Sequence, residues 1–296
     1  MCVFLRDGSF LSATRSGLRY FSRENEVKWE LNGDFHHQLK LSNDERRILA
    51  LSSESVKHAN KEQLQDKVLV ISLDGKVLHE VKADYLIREA GLKSLDWVLP
   101  SWMRAGTNAV TELSHFNSIY EVPRVTTGRG NSFFREGDLV VNGLGQGIFI
   151  ISPDLRTLRS HIQLSKKEIH FIHDVQISQR GHLLFFNNHT ADSLYEDTYS
   201  TVQEIDYPSR KVVFEFMATP KEIFFSRTCG GVQELGPDIL LISDNMTGTF
   251  FYSRSKNKIL SSIRTTHELD RRRVGVQDVK AFDLTEFLSN RKKASF

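Results

Sequence analysis

One pattern recurs along this chain, and it restricts the fold more than any single motif does. The stretches FHHQLKLSNDERRILALSS (35 to 53), SHFNSIYEV (114 to 122) with EGDLVVNG (136 to 143), FIHDVQISQRGHLLFFNN (171 to 188), CGGVQELGPDILLISDN (229 to 245) and RVGVQDVKAF (273 to 282) share one form. Each opens on a His or Gly and continues as an alternating strand, a polar turn and a second apolar strand. A second half follows the first four copies: DKVLVISLDGKVLHEV (66 to 81), QGIFIISPDLRTLRSHI (146 to 162), STVQEIDYPSRKVVFEF (200 to 216) and GTFFYSRSKNKILSSI (248 to 263). These are pairs of period-2 strands around short turns such as Asp74-Gly75 or Ser152-Pro153-Asp154, which read as β-hairpins.

Two strands plus two strands make a four-stranded meander, and VFLRDGSFLSATRSGLRYFSRENEVKWEL (3 to 31) is a further one at the N-terminus. A four-stranded sheet cannot bury both faces alone, so its copies stack radially. The expectation is an all-β six-bladed β-propeller, with five full blades and a partial sixth, spanning residues 1–296 as a single domain. Two segments depart from the repeat. Residues 82–110, with apolar positions at Leu86, Ile87, Ala90, Leu92 and Leu95, predict a helical insertion between blades; residues 283–293, opening on Asp283, predict a short helix within a C-terminal tail, 283–296.

Bulk properties remove several function classes. With 39 basic and 37 acidic residues among 296 and a net charge of +2, no overall field draws the chain to nucleic acid or to an anionic membrane surface. The basic excess is local, in DRRR (270 to 273) and NRKKASF (290 to 296). Cys2 and Cys229 are the only cysteines and form no CxxC, so neither a thiolate metal site nor a disulfide framework is expected. No run approaches the ~18 apolar residues of a spanning helix, and MCVFLRDGSFLSATRSG lacks a basic region followed by an apolar stretch of secretory length, so no export signal is expected.

The repeat makes the histidines informative. In a propeller the first strand of each blade lines the central channel, so residues far apart in sequence meet there; His37, His115 and His173 fill the recurring position in three successive copies, and Gly231 and Gly275 fill it in the next two. His36, His170 and His182 are expected to point away by strand alternation, and His58, His79, His161, His189 and His267 carry no pattern. Three converging imidazoles could hold a metal, although Asp34 and Asp174 are the only carboxylates near, and no metal is expected. They could instead bind a tetrahedral anion, with one imidazole as nucleophile or base. The stretches GRGNS (128 to 132) and GLGQG (143 to 147) do not precede a helix, so no nucleotide cofactor is expected.

FHHQLKLS, SHFNSIYEV, FIHDVQISQRGHLLFFNN and FSRTCGGVQEL, in that order, resemble the successive blade motifs of the arylsulfotransferase (aryl sulfate sulfotransferase) β-propellers, from about residue 30 to residue 280. The resemblance implies transfer of a sulfuryl group from an aryl sulfate to a phenol, without a cofactor, through a transiently sulfated histidine. Matched motif to motif, His173 is the nucleophile, His115 and His37 polarise the sulfuryl oxygens, Asn117 is a nearby polar contact, and Arg227 supplies charge from a neighbouring blade. Two features depart from the family. Its clamp arginine is replaced by Leu144, beside Asn142 and Gly143, and its members are typically exported. The sequence thus leaves open a transferase and a propeller that only binds an anionic or aromatic ligand or a protein partner, with a metal-dependent hydrolase ranked last.

Overall fold

In a computed structural model of the chain, the described residues are 1–58, 61–92, 111–112, 114–124, 133–144, 146–163, 172–188, 200–218, 226, 229–243, 248–263, 268–269 and 272–273. They are all-β apart from one short helix and a single 3-10 residue at Arg124. Two compact units are distinguished: unit 1 holds the described parts of Met1–Glu121 and Leu139–Ile162, unit 2 those of Val122–Asp138 and Gln163–Ala281.

Unit 1 contains three antiparallel meanders. The first joins β1 (Cys2–Phe4), β2 (Phe10–Thr14), β3 (Gly17–Phe21) and β4 (Val27–Asn32); the second joins β5 (Asp34–Leu41), β6 (Arg47–His58), β7 (Lys61–Ser72) and β8 (Val77–Lys82). Helix α1 (Ala83–Glu89) follows, then β9 (Thr111–Glu112), which pairs in parallel with β7. The third meander is β10 (Phe116–Glu121), β11 (Leu139–Gly143), β12 (Gly147–Ile151) and β13 (Leu158–Ile162). Unit 2 contains two more: β14 (Ile172–Ile177), β15 (Leu183–Asn187), β16 (Ser200–Asp206) and β17 (Lys211–Ala218), then β18 (Gly231–Glu234), β19 (Ile239–Ser243), β20 (Thr249–Ser253) and β21 (Lys258–Ile263). A two-stranded ribbon, β22 (Glu268–Leu269) with β23 (Arg272–Arg273), completes the described strands.

Each four-stranded sheet is a β-propeller blade. Where six blades were expected, the described residues hold five; all but the first residue of the stretch read as a partial sixth (273 to 282) lies outside them. The expected helical insertion is α1 over its first part, and residues 93–110 lie outside the described residues, as does the expected C-terminal helix.

Strand alternation explains why the second blade is apolar on both faces. Along β6, Ile48 and Ala50 pack with Leu11, Ala13, Leu18 and Phe35, whereas Leu49 and Leu51 pack with Phe116, Ile119, Leu139 and Phe149 on the other side. Leu86 and Ile87 of α1 join that second cluster. In unit 2, Leu184, Phe186 and Val202 pack against Val232, Leu240, Ile242 and Tyr252. Every such side chain, once fully buried, contributes roughly 1.5–3 kcal/mol.

The hairpin turns reuse one device. Ser22, Ser42, Ser72 and Ser152 each accept at their carbonyl the N–H of a residue three further on, namely Asn25, Glu45, Gly75 and Leu155. All four of those residues have positive φ, yet only one is glycine. The hydroxyls of Ser42, Ser72 and Ser152 also donate to Asp44, Asp74 and Asp154. This local bonding is what lets a side chain such as that of Leu155 sit in the left-handed region.

Candidate functional site

The first strand of a blade is irregular where the histidines lie. Register shifts occur between Phe35 and Leu39, between Phe116 and Ser118, and between His173 and Gln176, and φ is positive at His37 (57°) and Asp174 (48°). Such bulges re-aim side chains that simple alternation would send elsewhere. None of them is legible from period-2 counting.

The bulges also correct the repeat phase. The N–H groups of Ser42, Val122 and Ser178 close the first turns on the carbonyls of Arg47, Asp138 and His182. Equally far along the second strand from those carbonyls, Ser52, Gly143 and Asn187 face Phe35, Phe116 and Ile172. His115 therefore precedes that position, whereas His37 and His173, each five residues before the turn serine at 42 or 178, follow it. The three histidines do not share one repeat position.

Unit 1 nevertheless brings His37 and His115 together. Their rings meet edge to face with centroids 4.7 Å apart, and both are half-buried. Behind them, His37 Nδ1 lies 2.6 Å from His36 Nδ1, and His36 Nε2 stands 3.1 Å from Asp66 Oδ1, with the oxygen off the line of the ring N–H. Asp66 is held in turn: its Oδ2 accepts the Phe116 N–H and its own N–H donates to Ser114 Oγ. His36, expected to point away, is buried at 7% exposure inside this cluster because it belongs to the bulge. Asn117 is buried in β10, and the Leu144 N–H donates to the His115 carbonyl, with the leucine side chain buried.

His173 belongs to unit 2. Its Nδ1 lies 2.6 Å from Asn188 Oδ1, and Asn188 Nδ2 donates to the carbonyls of Ser226 (2.6 Å) and Cys229 (3.0 Å). Both amide hydrogens of Asn188 are committed to carbonyls, so the amide orientation is fixed and its oxygen must face the imidazole. The proton of neutral His173 accordingly sits on Nδ1, and the lone pair on Nε2. Around this pair the loop is cross-linked: Ser200 Oγ donates to Ser226 O and accepts the Ser226 N–H. A Cβ on Gly230 would fall 2.4 Å from the Phe186 ring, and Phe186 pairs across the sheet with His173, so the glycine lets that ring lie flat on the backbone.

The remaining expected residues divide differently. Arg227 and His170 lie outside the described residues. Asp34 is bonded to Ser53 Oγ and Arg15, and Asp174 Oδ2 accepts the Val232 N–H. Among the described residues no group of three or more His, Cys, Asp or Glu is placed to hold a metal ion. Sequence reasoning missed Asp66, His36 and Asn188; the HH doublet at 36–37 and the NN doublet after β15 were the available signals for two of them, and nothing in the sequence ties Asp66 to His36.

No family model and no curated protein matches the chain. Among solved structures it is similar to a protein of unknown function from Bacteroides caccae, with a TM-score of 0.56 at 11% identity, covering 89% of this chain and 80% of that one. That likeness speaks to fold alone. The Dos1 propeller superposes with a TM-score of 0.48 at 11% identity, covering 89% of this chain and 57% of that one.

Proposed function

We propose that the protein transfers a sulfuryl group from an aryl sulfate to a phenolic acceptor, with His173 as the covalent nucleophile. The observation that carries this reading is the locked tautomer of His173: the Asn188 carbonyl holds the proton on Nδ1, and Nε2 is the nitrogen with electrons to give. The motif resemblance around FIHDVQISQRGHLLFFNN supplies the substrate class. In the first half-reaction, Nε2 forms a bond to sulfur as the bond from sulfur to the aryl oxygen breaks, and the phenolate leaves with the electron pair. The imidazolium that results keeps its Nδ1–H on Asn188 Oδ1, which spreads the charge without a proton leaving. In the second, an acceptor phenolate attacks sulfur, the N–S bond breaks, and the acceptor's proton ends on the phenol released in the first step.

A second reading, binding of the same class of ligand without turnover, is favoured by Leu144. The family's clamp cation is absent at that place, and the loss of a single charge-stabilising donor costs about 2.7–4 kcal/mol of transition-state stabilisation in a comparable site. The deciding experiment incubates the purified protein with 4-nitrophenyl sulfate and phenol, follows nitrophenolate release, and measures intact mass. Release together with a sulfuryl adduct, both lost in His173→Ala, is the expected result. A folded protein that is silent toward a series of aryl sulfates but still binds them overturns transfer and leaves the second reading.

A further inference from the structure

The loop that supplies the acceptors of Asn188 is itself held by β16. Ser200, the first residue of that strand and fully buried, binds both backbone groups of one loop residue: its Oγ donates to the Ser226 carbonyl at 3.1 Å and accepts the Ser226 N–H at 2.9 Å. The hydroxyl does there what a residue of a neighbouring antiparallel strand would do. The same carbonyl accepts Asn188 Nδ2 at 2.6 Å, so its two lone pairs go to these two donors. Three residues on, the Cys229 N–H donates to Ser226 Oγ at 3.2 Å, and the Cys229 carbonyl is the second acceptor of the same amide. Ser226 thus ties β16 to both acceptors of Asn188.

The consequence falls on His173. An amide turned by 180° would point Oδ1 at two carbonyl oxygens and Nδ2 at the imidazole, whose lone pair would then have to sit on Nδ1 and its proton on Nε2. The two carbonyls disfavour that turn only while they stay in place. A shift of Ser226 leaves one amide hydrogen without its acceptor and lowers the cost of turning.

We infer that Ser200 is a positioning residue for His173, acting through the Ser226 carbonyl and the Asn188 amide to keep the ring in its Nδ1–H form. This role rests on the reading of His173 as the covalent nucleophile, and it adds the group that sets how much of the protein carries the reactive electron pair on Nε2. Ser200 stands three hydrogen bonds from the ring, so its effect is on the ring's proton and not on the substrate.

A matched pair of variants separates the hydroxyl from its packing. Ser200→Thr keeps the hydroxyl, and Ser200→Val has the same shape without it. The readout is the long-range proton–nitrogen spectrum of protein labelled with nitrogen-15 histidine, recorded without substrate where the ring is neutral, with His173 assigned by its disappearance in His173→Gln. The native protein is expected to hold the Nδ1–H form in excess, and Ser200→Thr to match it. In Ser200→Val the ratio of Nδ1–H to Nε2–H should fall roughly two- to tenfold, the weight of one hydrogen bond. Ser200→Ala, compared with the native protein, serves if the branched side chains do not fold in the buried site. A native ring with Nε2–H in excess, a ratio that does not respond to loss of the hydroxyl, or an equal fall in the Thr and Val variants overturns the inference. Because no substrate is present, a silent sulfuryl-transfer assay overturns the transfer reading alone, and an unchanged spectrum from active protein overturns the role of Ser200 alone.

Discussion

Two joints between consecutive blades, one in each unit, are built from the same parts and differ in where their charges lie. In unit 1, β5 meets β10: Gln38 Oε1 accepts the Ile119 N–H, Glu121 accepts the Asn43 N–H, and Arg47 binds Glu121. In unit 2, β14 meets β18: Asp174 Oδ2 accepts the Val232 N–H, Glu234 accepts the Gln179 N–H, and Arg254 binds Glu234. Each joint also backs a histidine, His37 through His36 and Asp66, His173 through Asn188. In unit 1 the charge sits behind the histidine and the cation is partly exposed; in unit 2 a neutral amide sits behind the histidine and the cation is buried. The repeat thus conserves hydrogen-bond geometry while the ionic parts are free to move, because a strand N–H needs an acceptor of any charge.

The largest expected difference follows from the cations. The side chain of Arg254 is 5% exposed, lies 3.0 Å from the fully buried Glu204 as well as against Glu234, and covers the Phe214 ring; that of Arg47 is 30% exposed with one carboxylate. Removing one partner of a buried ion cluster costs about 3–5 kcal/mol, whereas an accessible pair is worth ~1 kcal/mol or less. Arg254→Ala should therefore lower the denaturation midpoint far more than Arg47→Ala. Equal losses would show that the two joints carry the same energetic weight.

A smaller effect is expected at the amide. Asn188→Leu leaves the Ser226 and Cys229 carbonyls without that donor and His173 Nδ1 without its acceptor, at a cost of about 1–3 kcal/mol. The same variant should release the His173 ring from a single Nδ1–H form into a mixture, seen in the nitrogen-15 histidine spectrum. An unchanged ring would mean that something other than Asn188 sets it, and the contrast between an amide-backed and a carboxylate-backed histidine would fail.

Much of this architecture was readable before any coordinates. The meanders over 3–31, 35–81, 114–162, 171–216 and 229–263 become five blades because alternation and turn residues are local signals. The joints were not readable, since Gln38 and Ile119 or Asp174 and Val232 are paired only by the stacking of one sheet on the next. The contact of His36 with His37 was not foreseen for a definite reason: counting by twos assumes an unbroken strand, and the bulge at residues 36–38, with His37 at positive φ, breaks it. Gly230 carried no signal of its own in the sequence, although it is the place where the Phe186 ring lies on the backbone.

The smallest expected effect concerns imidazoles away from the two candidate histidines and asks whether acid weakens the units alike. In unit 1, burial holds His161 below its ordinary pKa of 6.5, partly opposed by the hydrogen bond from Nε2 to the Gln146 carbonyl. In unit 2, His182 faces carboxylates instead, Glu204 at 3.3 Å and Asp206 at 3.6 Å. For His161 the unfolded chain binds the proton more readily than the folded one. Its contribution is therefore complete above about pH 6.5 and is lost as the pH falls through the folded value, with a slope of at most about 1.4 kcal/mol per pH unit for one proton. His161→Gln keeps a donor for the Gln146 carbonyl and removes the titration. The midpoint of the native protein should decline below about pH 6.5 more steeply than that of the variant, and identical curves would place the acid sensitivity outside His161 and remove this distinction between the units.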